Sequence, residues 1–333
     1  MATSLSKPIE LQLSNGIPVI LQHMEGEVAA TYWWNQVGSG DERPDQAGFS
    51  HFLEHMLFKD ASAKETGKAS VGQMAGAIEG LGGDINAYTS FDQTVYHVTC
   101  AAQHWTKVID AFGPLAKPQK FLKEDFNRER EVILEELKKN EDSPGRKMFQ
   151  DLFTETFKSH PYGRPVIGYV KVLKQAKVGD LEAYYRSHYV SSRMGLILVG
   201  PLLDSNGLLR KDVLAVTEKH FGSRIIRPNK KSPRPSRRFE EQVRKGPGYR
   251  LLPFDVTTLS AAIAFRVPEL THADIPALDV LSGVLGLGES GRLYQNLFFE
   301  KSLVTDASAG LYVPRDPGMF YAQVDFEKPE QTE

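Results

Sequence analysis

The stretch His51-Phe52-Leu53-Glu54-His55 places two histidines four residues apart, with a glutamate directly before the second. On a helix, residues four apart share a face, so both imidazoles project to the same side. Two neutral imidazoles one turn apart can reach one zinc ion at about 2.0–2.1 Å each. Glu54 lies on nearly the same face, where it could take a proton from an attacking water and pass it to a leaving amine. The pattern predicts a metal-dependent hydrolase, and the alternative is a pair of structural histidines beside an unrelated glutamate.

A third protein ligand is expected, because zinc hydrolases commonly use two histidines and one glutamate together with water. The predicted helix over Lys123–Asn140 offers several acids. Glu129 and Glu136 are seven residues apart and share a face, whereas Glu131 and Glu135 form a second pair that points elsewhere. Helix geometry does not say which member of the first pair is the ligand.

The composition excludes several classes of protein. The chain has 333 residues, which suggests two domains, and 41% apolar and 25% charged residues, as in an ordinary globular protein. A net charge of -2 argues against a nucleic-acid-binding protein, and no run approaches the roughly 20 apolar residues of a membrane helix. The single cysteine, Cys100, excludes an internal disulfide and is expected to be a small buried side chain.

Hairpins and helices alternate along the first part of the chain and predict an α+β domain over residues 1–225. Strands are predicted at Ile9–Gln22 (two strands around the turn Asn15-Gly16), Ala29–Val37, Asp84–Cys100, Arg193–Val199 and Leu259–Val267. Helices are predicted at Phe49–Phe58, Val71–Leu81, Trp105–Phe112, Lys123–Asn140, Ala273–Leu285 and Arg292–Lys301.

Residues 226–252 are rich in proline and in Lys and Arg, and we interpret them as a solvated linker; a patch that binds a polyanion is the alternative. Strand and helix patterns return in residues 253–333, where Ser260–Val267 faintly repeats Ala29–Val37. A second domain as large as the first would need more residues than these, so we expect this domain to be incomplete at Glu333.

Four motifs in order resemble those of the pitrilysin/insulinase family of zinc metallopeptidases with an inverted (H-x-x-E-H) motif, which includes the mitochondrial processing peptidases. His51–Phe58 resembles the zinc helix of that family, and Gly82–Ser90 resembles its substrate-edge strand. Glu129–Glu136 is similar to its third-ligand helix, and His160–Gly168 to a further family segment. The resemblance implies a metallopeptidase domain with a mixed or antiparallel sheet covered by helices, followed by a partial second domain of the same type.

The resemblance also implies the roles of the site residues. Zn2+ would be bound by His51, His55 and Glu136, with Glu54 as the catalytic base. Glu129 would be the second acid of the catalytic site, orienting a ligating histidine.

Substrate contacts are implied at Asn86, Ala87 and Phe58, although from the sequence alone Asn86 is a turn residue. An extended peptide would add as a strand to the sheet edge formed by this segment. An arginine and a tyrosine that hold the substrate carbonyl in the family are replaced here by Phe298 and Thr305.

The sequence therefore predicts a zinc-dependent endopeptidase acting on internal bonds of extended peptides or unfolded protein segments. The alternative is a zinc- or peptide-binding subunit that is inactive alone and needs a further domain or partner chain to complete the site. Nucleic acid is not an expected partner. Met1–Lys7 shows no leader, so the cytoplasm is the expected location, and the periplasm or an organelle if a leader has been removed.

Overall fold

A computed structural model of the chain describes residues 7–57, 73–204, 206–222, 241 and 246–327. Phe58 and most of the predicted linker lie outside the described residues. The chain divides into two compact units, Met1–Leu134 with Val166–Pro235 and Glu135–Pro165 with Ser236–Glu333. The sequence-based bounds of 1–225, 226–252 and 253–333 stay a prediction.

The first unit is built on a six-stranded sheet. Its strands are β1 Ile9–Gln12, β2 Pro18–His23, β3 Val28–Asn35, β4 Asp84–Thr89, β5 Thr94–Ala101 and β6 Met194–Gly200. Their order is β1-β2-β6-β3-β5-β4. All neighbours are antiparallel except β2 and β6, which are parallel. The sheet is therefore mixed, as predicted, and β4 forms one of its two edges.

Alternating burial along the strands places the core on one face of this sheet. In β3, Ala29, Thr31, Trp33 and Asn35 are buried while the residues between them are half-buried. Cys100 in β5 is buried as expected, and burial raises the pKa of its thiol to about 11. This period of two is the signature of a sheet with one covered face.

The described residues form nine α-helices; five match predicted helices, and the four between residues 144 and 217 have no predicted counterpart. They are α1 Phe49–Leu57, α2 Gln73–Glu79, α3 Trp105–Phe112, α4 Lys123–Glu141, α5 Pro144–Thr156, α6 Val170–Gln175, α7 Val178–His188, α8 Lys211–Thr217 and α9 Ile275–Gly286. In the first unit α1 packs on β4 and β5, and α3 packs on β3 and β5. The division between the units falls within α4, a single unbroken helix. None of the described helices is both long enough and apolar enough to span a bilayer.

The second unit contains a three-stranded antiparallel sheet of β7 Leu259–Val267, β8 Asp306–Tyr312 and β9 Gly318–Phe326. Its order β7-β9-β8 corresponds to β3-β5-β4 in the first unit, and α9 follows β7 as α1 follows β3. The α+β class and the second domain of the same type are therefore confirmed.

Three predicted elements differ from the structure in detail. Asp84–Cys100 is a hairpin rather than one strand, because the Ser90 N–H bonds Gln93 O at 2.8 Å and reverses the chain. The helix predicted at Lys123–Asn140 extends to Glu141 and is followed closely by α5, whose first residue is Pro144, where a missing N–H costs nothing. The helix expected at Arg292–Lys301 has π-helical hydrogen bonding over Tyr294–Glu300.

Candidate metal centre and active site

Helix α1 carries His51, Glu54 and His55 on its half-exposed side. Phe52, Leu53 and Met56 are buried. This amphipathic pattern fixes which side of the helix faces the core, so it also fixes the side on which the histidines project. The imidazole rings of His51 and His55 lie 4.7 Å apart between centroids, as the four-residue spacing predicts.

Among the described residues, one group of His, Cys, Asp and Glu side chains is compact enough to hold a metal ion. It consists of His51, His55 and Glu136, and one ligand atom from each lies within 4.8 Å of the other two. Glu136 comes from α4, about 80 residues further along the chain. The structure thus brings together the three residues predicted to be ligands.

The donor set fits zinc. Two imidazole nitrogens and a carboxylate oxygen are the His₂Glu set of zinc hydrolases, which keep a fourth position for water. Ligand atoms about 2.1 Å from one tetrahedral ion lie about 3.4 Å from each other. The candidate ligand atoms, which lie within 4.8 Å of one another, therefore need only small side-chain rotations to reach the spacing around one ion.

Glu129 lies behind the second histidine rather than among the candidate ligands. Its Oε2 is 3.4 Å from His55 Nδ1, and its side chain is only 5% exposed. A carboxylate at Nδ1 favours the tautomer that carries its proton there and has its lone pair on Nε2, the form of imidazole that binds a metal through Nε2. This contact fits the supporting role that the family resemblance implies for Glu129, and that role stays a prediction.

Glu54 is held from the neighbouring edge strand. Thr89 Oγ1 donates to Glu54 Oε2 at 2.5 Å, and Thr89 Oγ1 is also 3.4 Å from Thr94 Oγ1. Beneath these groups, the hydroxyls of Tyr96 and Tyr189 lie 3.3 Å apart. Burial raises the pKa of both phenols well above its ordinary value, and the Glu54 carboxylate adds to the effect. Both tyrosines are therefore neutral.

Asn86 and Ala87 lie in β4, so Asn86 is a strand residue rather than a turn residue. The Ser90 N–H points toward β5, and the backbone groups of successive residues in a strand point alternately to its two sides. Ala87 is three residues before Ser90, so its backbone groups point to the other side, which is the edge of the sheet. Asn86 Oδ1 accepts the Ala87 N–H at 2.8 Å. The edge at Ala87 is thus covered by the side chain of the preceding residue.

Two further predictions concern positions away from this group. Phe58, assigned to substrate contact, lies outside the described residues. In the second unit, the Phe298 ring stacks on Tyr294 at 4.7 Å. Thr305 donates both its N–H and its hydroxyl to Asp325 O. Both replacements for the family's arginine and tyrosine are engaged in local packing.

Sequence reasoning missed Thr89 as a neighbour of Glu54 and Tyr189 as part of the layer beneath it. Thr89 belongs to the quoted motif Gly82–Ser90, and its place three residues after Asn86 puts it on the opposite face of β4. No sequence signal identifies Tyr189, because its contact is made across about 90 residues.

Two family models match the chain. Residues 18–169 match the model described as insulinase (peptidase family M16), and residues 176–333 match the peptidase M16 inactive domain. An uncharacterized zinc protease of Mycobacterium leprae is 28% identical over 92% of this chain and 66% of its own length. The chain thus spans about two thirds of the length of this relative. A probable mitochondrial-processing peptidase subunit beta of Arabidopsis thaliana is 29% identical over 82% of this chain and 49% of its own length.

A solved structure agrees with the sequence comparison. The crystal structure of a protease from Helicobacter pylori superposes with a TM-score of 0.88 at 25% identity, covering 98% of this chain and 76% of that one. The two family models together span nearly the whole chain, from residue 18 to residue 333. The chain belongs to the insulinase family of peptidases, peptidase family M16.

Proposed function

We propose that this chain is a zinc-dependent endopeptidase that hydrolyses internal bonds of extended peptides or unfolded protein segments. The observation that carries the proposal is the convergence of His51, His55 and Glu136. Similarity to proteins named zinc proteases supports the choice of metal.

The chain's own residues divide the chemistry between them. His51, His55 and Glu136 would hold a zinc ion, which as a Lewis acid polarises the substrate carbonyl and lowers the pKa of water. Glu54, on α1 with the two histidines, takes the proton from the attacking water and transfers it to the leaving amine. Thr89 holds one oxygen of this carboxylate in place by donating its hydroxyl hydrogen to Oε2.

On its side away from β5, β4 has no partner strand among the described residues, and this edge supports an extended substrate. Backbone groups of Ala87 and Thr89 point away from β5, so a peptide added as a strand would run beside the strand that holds Glu54. Backbone hydrogen bonds select for an extended shape rather than for particular side chains. The Asn86 amide must release the Ala87 N–H before a peptide can bond to it.

A second candidate is a subunit that binds zinc or peptide without cutting alone. It is favoured by the match of residues 176–333 to an inactive domain and by the engagement of Phe298 and Thr305 in local contacts. In that case a further domain or a partner chain supplies the groups that hold the substrate carbonyl.

Cleavage of a quenched fluorogenic peptide distinguishes the two candidates. The endopeptidase proposal expects cleavage that a chelator abolishes, that added zinc restores and that Glu54→Gln lacks. Binding of zinc and peptide without cleavage, followed by cleavage on addition of a partner from the source cell, would establish the subunit instead. Fractionation of those cells would test the proposed cytoplasmic location.

A further inference from the structure

Glu42 binds the start of the helix that carries both histidines. Its side chain is buried, and the residue is 4% exposed. Glu42 Oε2 accepts the Gly48 N–H at 2.8 Å, and Oε1 accepts the Ser50 N–H at 2.7 Å. Gly48 directly precedes α1 and Ser50 is its second residue, so both N–H groups lack partners within the helix. A carboxylate also suits this position because the helix N-terminus carries partial positive charge.

Two other contacts hold the same turn. Gly48 and Gly168 have φ of +99° and +86°. Their backbones are in contact, since a Cβ on Gly168 would lie 2.6 Å from Gly48 Cα and 2.3 Å from Ala47 O. The Ser50 hydroxyl lies 2.8 Å from the Tyr184 hydroxyl in the core. The end of the motif His160–Gly168 therefore has a physical role, which is to pack against the chain just before α1.

The two histidines differ in how they are supported. His55 has its own carboxylate, Glu129, at Nδ1. His51 follows Ser50 directly and lies in the first turn of α1, the part of a helix that frays most easily when its end groups are unpaired. The direction of the His51 imidazole therefore depends on the backbone that Glu42 holds.

We propose that Glu42 is a positioning residue of the metal centre: by binding the Gly48 and Ser50 amides it sets His51 against His55 and Glu136. This inference rests on the proposed function, since it assumes that these residues bind zinc. It predicts that a residue bound to backbone amides at the start of α1 controls zinc affinity through the helix backbone.

The test compares Glu42→Ala and Glu42→Gln with a matched control. Thr31→Val removes an equally buried hydrogen bond elsewhere in the first unit, the one that Trp105 Nε1 donates to Thr31 Oγ1 at 2.8 Å. Three quantities are measured for each protein: zinc affinity against a competing chelator, the absorption spectrum of the cobalt-substituted protein, and hydrogen exchange of the amides of residues 48–52 without metal.

Glu42→Ala is expected to weaken zinc binding by about 10–100-fold, as supporting carboxylates do in other metal sites. Glu42→Gln, which keeps one acceptor oxygen but loses the charge, should lie between Glu42→Ala and the unchanged protein. Both variants should exchange faster at residues 48–52 and alter the cobalt spectrum, whereas Thr31→Val should do neither. If Glu42→Ala does not fold, Glu42→Gln alone carries the comparison.

The inference is wrong if the Glu42 variants bind zinc as tightly as Thr31→Val does, or if all three weaken binding equally, since the latter reports general destabilisation. These outcomes leave the proposed function intact. Failure of the unchanged protein to bind zinc would contradict the proposed function and this inference together.

Discussion

The Thr89 hydroxyl on β4 donates a hydrogen bond of 2.5 Å to the Glu54 carboxylate on α1. The strand that forms the free edge of the sheet therefore also holds the candidate catalytic base. Because Thr89 and Ala87 point to the same face, a peptide laid along this edge is registered against Glu54 by the same strand. Under the proposed function, peptide binding and proton transfer would both depend on Thr89 and its strand.

Glu54→Gln should retain zinc and lose hydrolysis. The amide occupies the same volume but cannot accept the proton of the attacking water, and general acid–base help is worth about 10²–10⁴ in rate. Zinc content and peptide turnover, measured on one preparation, check this. Loss of the metal instead would make Glu54 a ligand.

Thr89→Val should lower kcat about 10–100-fold with zinc content unchanged, since a hydrogen bond to a charged group is worth about 1.5–3 kcal/mol. Thr89→Ser keeps the hydroxyl and should retain most of the activity. Steady-state kinetics of the two variants decide the matter, and equal rates would show that Glu54 needs no support from β4.

His55→Ala should lose the metal, because two remaining protein ligands rarely hold zinc. We expect about one zinc per chain in the unchanged protein and almost none in the variant by elemental analysis. The half-buried His104, which is not among the candidate ligands, provides a control, since His104→Ala should keep full zinc content. Zinc retained by His55→Ala would place the metal elsewhere.

Glu136→Gln should weaken zinc binding much more than Glu129→Gln. Glu136 belongs to the candidate ligand group, whereas Glu129 contacts the Nδ1 of His55. Neutralising Glu129 should therefore lower zinc affinity by only about 10–100-fold. Chelator competition ranks the two. A larger loss of zinc affinity for Glu129→Gln would instead identify Glu129, two helical turns earlier, as the ligand.

The buried imidazole of His188 should make the free energy of unfolding depend on pH. Burial lowers the pKa of its imidazole from 6.5 to about 4, and Arg193 acts in the same direction. Between about pH 4 and pH 6.5 the unfolded chain therefore binds a proton at His188 that the folded chain does not bind. Stability is fully present above pH 6.5 and falls as the pH drops toward 4, by at most about 3 kcal/mol. Urea unfolding at several pH values should show a shallower decline for His188→Gln, and parallel curves would contradict the assignment.

Local sequence signals were enough to predict most of the strands and helices and half of the candidate metal site. The four-residue spacing of His51 and His55 is a property of one helix, and the turn at Asn15-Gly16 is a property of adjacent residues. The helix over Trp105–Phe112 is confirmed at both ends for the same reason. In each case the interacting atoms are close in sequence, so periodicity and turn chemistry contain the information.

What the sequence by itself determined is therefore the pair of histidines, the adjacent glutamate proposed as the base, and the helix that offers two acids seven residues apart. Only the tertiary structure decided how these parts meet. Glu136 approaches the histidines while Glu129 stands behind His55, because α4 packs on α1 at one particular height, with Phe126 stacked on Phe52 at 4.6 Å. Thr89 reaches Glu54 because β4 pairs beside β5 under α1, and Glu42 reaches Ser50 because a loop folds back on its own helix. Such contacts depend on the packing of whole elements, whose relative heights and rotations no single stretch of sequence encodes.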